Sequence, residues 1–364
     1  MPVTRYVTLA YGDAPGVYRQ SLMLLVSLVA HAPEPYELVV ATDRPECYGW
    51  FGTRVEIEYL DAARLDAWRG PNPFSMRQKL ELIRAAAVPA TGAVVLLDAD
   101  VLARRPLDDF VARLHAGALF MHTREYVLSE SRRRGNRKLW ASLQTPAARA
   151  ASAGDLSSVA RVASEGGFRA DDCMWNSGVL ALPAADRGLL DQALAMYDAL
   201  GAAGVRHFAT EQLVEGVVLG RTGRLQPAAE WFAHYWGNKP GYDTEIARRL
   251  ADAFIEGMSV KEAASQYRAR PIDLPVEVRQ TRADKLAAWF RKRRSCSAWS
   301  SSSVRTAPPS PVVMILAGWR LITVMSASVP TGRRSNVAPS ECDASAMIVS
   351  RPPGARSAMA RRAS

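Results

Sequence analysis

Val94-Val95-Leu96-Leu97-Asp98-Ala99-Asp100 decides how this chain is read. Four apolar residues, two of them β-branched, have the pattern of a short buried strand. Two carboxylates follow at its end. In an extended segment, residues two apart project the same way, so Asp98 and Asp100 are expected to face one small target. A hard divalent cation suits them, because it prefers carboxylate oxygens and can hold a diphosphate against the protein. A strand end carrying two solvated acids would show the same letters, so the case is decided by the rest of the chain.

Working upstream, Tyr6–Ala10, Glu37–Thr42 and the alternating Val55–Leu60 read as three strands. Val17–His31 reads as a largely buried helix, and a helix is expected from an N-cap at Ser75 to Ala87, with Pro89 just beyond. Downstream, a helix opens at Pro106–Phe110, and strands follow at Gly117–Met121 and Trp175–Leu182. A helix is expected over Ala184–Leu200, stopped by Gly201 as its C′ residue. Helices over Glu211–Leu219, Thr244–Phe254 and Val260–Arg268 flank an aromatic segment, Trp231–Gly237. Ala147–Ser164 is expected to be helical in part. Strands alternating with helices predict a mostly parallel sheet covered on both faces, within one α/β domain over residues 1–290.

The formal charge of +10 over 364 residues invites a nucleic-acid reading, but its distribution opposes one. Of 46 Lys+Arg and 36 Asp+Glu, 12 and 2 fall at 291–364, which leaves 34 of each over 1–290. The basic segment, rich in Ser, Ala, Arg and Pro, is expected to be a disordered tail, or the product of a shifted reading frame from about Ser295 onward. An intact mass matching all 364 residues would refute the frame-shift reading. Cys47 and Cys173 lack metal-ligand spacing, and Cys296 and Cys342 lie in the tail, which fits a reducing compartment. The first residues run straight into a strand pattern rather than a signal peptide. Leu22–Ala30 is too short to span a bilayer, and Val312–Val329 is interrupted by Arg320. The expected location is the cytoplasm, with peripheral membrane contact through Arg291-Lys292-Arg293-Arg294 as an option.

Five blocks then fall into a familiar order. Ser75-Met76-Arg77-Gln78-Lys79-Leu80 is followed by Leu97-Asp98-Ala99-Asp100 and Trp175-Asn176-Ser177-Gly178-Val179. Next come Glu211-Gln212 and His234-Tyr235-Trp236-Gly237-Asn238-Lys239-Pro240. In order and spacing this resembles the retaining sugar-nucleotide-dependent glycosyltransferases of family 8, the group of glycogenin and the bacterial lipooligosaccharide galactosyltransferases. The resemblance implies a GT-A fold, a Rossmann-like nucleotide-diphospho-sugar transferase sheet. It also implies a metal-dependent transfer of a hexose from a nucleotide sugar, UDP-linked, to a glycan, lipid-linked sugar or protein, with anomeric retention.

Residue by residue, the resemblance implies that Asp98, Asp100 and His234 bind Mn²⁺, or Mg²⁺, and a nitrogen ligand favours the former. Ala10 and Tyr11 would meet uracil and ribose, and Asp43 would either hydrogen-bond the base or cap a helix. Lys79 would reach the donor's phosphate or sugar. Gly237 would let backbone amides approach the phosphates, and Lys239 would add a point charge. Asn176, Glu211 and Gln212 would surround the sugar, with Gln212 facing the anomeric carbon. The family carries Asp where Glu211 stands and two residues between the glycine and the lysine, where this chain has Asn238 alone. Gly241 replaces an aromatic residue. Arg132, Arg133 and Arg134 could meet an anionic acceptor or form a solvated charge run. The rivals are a sugar nucleotidyltransferase, opposed by the lack of a basic residue in Tyr11–Gly16, and a catalytically silent nucleotide-sugar-binding protein.

Overall fold

The computed structural model describes residues 2–70, 76–155 and 167–278, together with two short strands, Ile315–Ala317 and Arg320–Ile322, that pair antiparallel. The expected N-cap at Ser75, the end of the Ala147–Ser164 segment and most of the 291–364 tail lie outside the described residues.

In chain order the elements are β1 (Thr4–Ala10), α1 (Pro15–His31), β2 (Tyr36–Thr42), β3 (Val55–Tyr59), α2 (Ala62–Arg69) and α3 (Arg77–Ala87). Then come β4 (Ala93–Leu97), β5 (Val101–Ala103), α4 (Asp108–His115), β6 (Leu119–Val127), α5 (Arg134–Leu143) and α6 (Pro146–Asp155). The last group is β7 (Cys173–Pro183), α7 (Gly188–Ala202), α8 (Thr210–Gly220), β8 (Leu225–Pro227), β9 (Phe232–His234), α9 (Lys239–Ile255) and α10 (Val260–Ala269). A 3₁₀ segment, Pro45–Arg54, leads into β3.

Seven strands form one mixed, mostly parallel sheet in the order β3-β2-β1-β4-β7-β6-β8. β3, β2, β1 and β4 run parallel, and β7 runs antiparallel between β4 and β6. Successive side chains of a strand point to opposite faces, and the packing follows that alternation. Val95 and Leu97 join one apolar cluster with α1, α9 and α10, and Val94 and Leu96 join another with α3, α7 and α8. Both faces are therefore covered, which is why β4 is apolar throughout. The architecture is compatible with a Rossmann-like fold.

Two expected helix ends move. α7 runs through Gly201, and the left-handed residue is Gly204, at φ 85°. Val205 N–H bonds Leu200 C=O and Gly204 N–H bonds Gly201 C=O, the paired closure of a Schellman motif. A glycine can sit inside a helix when a second one nearby makes the turn. α9 begins at Lys239 rather than Thr244, with Pro240 in its first turn, where a missing N–H costs nothing.

Candidate functional site

The two carboxylates do converge, but not by strand alternation. β4 stops at Leu97 and the chain turns over 98–100 before β5, with Val101 N–H bonding back to Asp98 C=O. β5 pairs antiparallel with β9, and Val101 stands opposite His234. That register places the imidazole beside Asp100. From the other side, Asp98 N–H bonds Gly178 C=O, which brings the Asn176-Ser177-Gly178 stretch of β7 against the same turn. Three distant stretches thus meet at the carboxyl end of β4. The strand order reverses between β1 and β4, where sheets of this kind leave a crevice for ligands.

The carboxylate oxygens divide their partners. Lys79 Nζ lies 2.8 Å from Asp98 Oδ1, and Lys239 Nζ lies 2.9 Å from Asp100 Oδ2. The other two oxygens, Asp98 Oδ2 and Asp100 Oδ1, face His234 Nε2 at 4.0 and 3.5 Å. On the far side of the ring, His234 Nδ1 lies 2.7 Å from Asn176 Oδ1. That same oxygen accepts the Gly178 N–H at 3.0 Å, so it is an acceptor and Nδ1 must carry the proton. With Nε2 unprotonated its lone pair would point at two carboxylate oxygens, an arrangement that a cation between them would satisfy.

The geometry fits one. Two ligands held about 2.2 Å from an ion lie no more than about 4.4 Å apart. The three donor atoms of Asp98, Asp100 and His234 all lie within 4.8 Å of one another, a span that a bound ion would draw in by a few tenths of an ångström. Gly178 is part of this fit. A Cβ built on it would lie 2.3 Å from His234 Nδ1, so only a glycine lets the ring stand against β7. Burial pushes the Asp100 carboxyl up, but His234 and Lys239 outweigh it and hold it well below the usual carboxylate range.

Beneath the turn lies a buried charged cluster. Lys79 is 7 % exposed. It is paired with Asp98 and, at 2.9 Å, with Glu211, and it donates to Ser177 Oγ and C=O. Burial would lower its ammonium pKa, but the charges of Asp98, Glu211 and Glu215 outweigh that and raise it. Burial raises the Glu211 carboxyl in spite of Lys79. Glu215, one helical turn on, is fully enclosed, and neither of its oxygens has a hydrogen-bond partner among the described residues. Burial, reinforced by Glu211, pushes its pKa well up. Gln212 is only half-buried, and its Oε1 lies 3.4 Å from both the N–H and the Oγ of Ser177.

The remaining candidates divide. Ala10 is fully enclosed in the core. Tyr11 donates its hydroxyl to Gln78 Oε1 at 2.5 Å. Asp43 caps no helix: it accepts Gly12 N–H and the Tyr18 hydroxyl, and so fixes the loop after β1. Gly237 does sit at a close approach, but the neighbour is Glu277, whose Cγ would lie 2.8 Å from an added Cβ. Lys239 is held by Asp100 at the start of α9 rather than standing in a loop. Arg77 turns away to Asp198 and Glu81.

Sequence reasoning missed His122, Glu125 and Glu215. His122 stands edge-on to His234 with ring centroids 5.4 Å apart, and it donates Nε2–H to Phe232 C=O. Burial drives its pKa down to about 4. Glu125 Oε1 lies 3.4 Å from Asn176 Nδ2. None of the three falls in a recognisable pattern. His122 could have been found only by counting along β6.

Comparison of the chain with models of known protein families, and with curated proteins, gives no match. Among the described residues, no helix is long and apolar enough to cross a membrane.

Proposed function

We propose that this chain is a metal-dependent glycosyltransferase of the GT-A type, moving a hexose from a nucleoside-diphosphate sugar, UDP-linked, to an acceptor hydroxyl with retention. The observation that carries the reading is the convergence of the Asp98, Asp100 and His234 side chains, with Asp98 Oδ2 and Asp100 Oδ1 facing His234 Nε2, at the carboxyl end of β4.

Asp98, Asp100 and His234 would hold Mn²⁺, favoured over Mg²⁺ by the nitrogen ligand. When bound, that ion supplies Lewis-acid stabilisation of the charge developing on the diphosphate. Asn176 fixes the His234 tautomer and ring plane. Lys239, beside Asp100 on the solvent side, adds positive charge where the diphosphate leaves, and Lys79 holds Asp98 from beneath. In the reaction the bond from the anomeric carbon to the diphosphate oxygen breaks and the bond to the acceptor oxygen forms. The acceptor's proton passes to the leaving diphosphate. Glu211 is enclosed and ion-paired, which leaves half-buried Gln212 as the α8 residue facing the site, and an amide is a poor nucleophile. These two facts favour displacement on one face over a covalent glycosyl-enzyme.

The test is thermal stability of the full chain with UDP, with and without Mn²⁺, beside Asp100→Ala. A ligand that binds only the folded state raises the melting temperature by mass action. A UDP response that requires Mn²⁺ and disappears in Asp100→Ala supports the reading. No response to millimolar UDP with Mn²⁺, nor to GDP, ADP or dTDP, overturns it. UDP binding without sugar transfer would leave a silent nucleotide-sugar-binding protein, a reading that the contact of Glu277 with Gly237 favours.

A further inference from the structure

Next to the His234 and Asn176 side chains a cleft of about 620 Å³ opens to solvent. Its walls are built from β6, the segment at Glu130–Asn136, Trp236 and the Val276–Glu277 stretch. Following β6 outward from His122, which stands edge-on to His234, the chain passes Glu125 and Tyr126 and arrives at Arg132 and Arg133. Along this run of lining residues, the part at His122 and His234 is called the inner end and the part at Arg132 and Arg133 the outer end.

The two ends differ in chemistry. Glu125 is engaged with Asn176 at the inner end. Trp236, half exposed, and Tyr126 offer ring faces. At the outer end Arg132 and Arg133 are exposed, and no ion pair engages either of them among the described residues, although Glu130 lies two positions away. Arg134, Arg137 and Lys138 add like charge nearby, unrelieved by any acid in the first turn of α5. α5 starts at Arg134 with Arg133 as its N-cap and no side-chain cap, so the first amides of that helix lack a side-chain acceptor. Two guanidiniums beside a helix N-terminus match the roughly −2 charge of a phosphate monoester better than a single carboxylate. Glu125, Glu130 and Glu277 also line the cleft, and carboxylates there suit sugar hydroxyls rather than a second anion.

The geometry points to an acceptor that is a phosphate-bearing sugar, its ring in the cleft by Trp236 and its phosphate on Arg132 and Arg133. This rests on the glycosyltransferase reading for the word acceptor, while the binding preference itself can be measured without donor or metal. Arg132 and Arg133 line the same cleft as His234 and Asn176, and that shared cleft is what gives them a ligand.

The experiment is calorimetric titration of the full chain with a panel of hexose 1- and 6-phosphates and their neutral parent hexoses. Inorganic phosphate and phosphatidylglycerol vesicles are run alongside. The same titrations are made on Arg132→Gln/Arg133→Gln, with the UDP and Mn²⁺ melting shift as a parallel readout. The expected result is at least one hexose phosphate bound tenfold or more tighter than its neutral parent. That preference should fall with added salt and be lost in the double variant, whose UDP response is unchanged. Equal binding of phosphorylated and neutral sugars across the panel overturns the proposal, as does a preference that survives in the variant. Inorganic phosphate binding as well as every sugar phosphate would reduce the site to an anion site and overturn it. Binding to vesicles alone would make it a membrane-docking patch and overturn the proposal too. Loss of the UDP response in wild-type protein would instead overturn the glycosyltransferase reading, and the sugar-phosphate preference would still be read on its own.

Discussion

Gly178→Ala tests the candidate metal centre without replacing a ligand. The added methyl would lie 2.3 Å from His234 Nδ1 and 2.6 Å from Cγ and Cε1. Non-bonded carbons settle at about 3.5–4.0 Å, so the ring must retreat by about 1 Å or more. Metal sites tolerate departures of only about 0.2 Å in ligand distance, so a shift of that size removes Nε2 from the ligand set. It also breaks the 2.7 Å bond to Asn176. Loss of an outer partner alone weakens metal binding by about 10–100-fold. The expectation is therefore at least a tenfold loss of Mn²⁺ affinity by calorimetric titration. Overpacking a close contact also costs about 1–3 kcal/mol of stability in the metal-free protein. Gly16→Ala is the control: it lies in α1, and its added Cβ would come no nearer than 3.9 Å, to Asp243 Oδ2. It should leave Mn²⁺ affinity unchanged and, as a Gly→Ala change within a helix, raise stability by up to about 1 kcal/mol rather than lower it. Wild-type Mn²⁺ affinity in Gly178→Ala would refute the assignment of His234 as a ligand held against β7.

Two further expectations concern the cluster beneath the turn. Lys79→Met removes the shared partner of Asp98 and Glu211 and leaves buried negative charge uncompensated, which should cost about 3–5 kcal/mol in guanidinium unfolding; a loss under about 1 kcal/mol would contradict the pairing. Burial pushes Glu215 well up, so the folded chain keeps a proton that the unfolded chain gives up above about pH 4.3. Relative to Glu215→Gln, wild-type stability should be highest at low pH. It should fall as pH rises, by up to about 1.4 kcal/mol per unit until the folded-state value is reached. Urea unfolding of both proteins from pH 5 to pH 8 measures this, and a flat or rising difference would contradict it.

Much of the fold was legible because burial leaves a local pattern. β4 reads as a two-sided strand from its four aliphatic residues, and the helix ahead of it from its spacing. What was not legible was pairing direction: nothing within Cys173–Pro183 says that it runs against β4, since both would be apolar in either orientation. Helix ends were harder still, because Gly201 and Gly204 compete for one role and only the chain's path after Leu200 decides between them. In the site, the order of the blocks pointed to Asp98, Asp100, His234 and Lys79. Strand alternation, the expected reason for the two aspartates to converge, gives way to a turn. The partners of Lys79 and Lys239 depend on distances across the sheet that no local spacing encodes, and so does the burial of Glu215 beside Glu211.

The contact between Glu277 and Gly237 sets an order in time. Val276 and Glu277 supply one side of the cleft, and Asn238 and Tyr242 bond the carbonyls of Pro275 and Leu274. A chain emerging from the ribosome has Asp98 and His234 in hand well before that wall exists. That side of the cleft is completed on the nascent chain only once synthesis has passed Glu277.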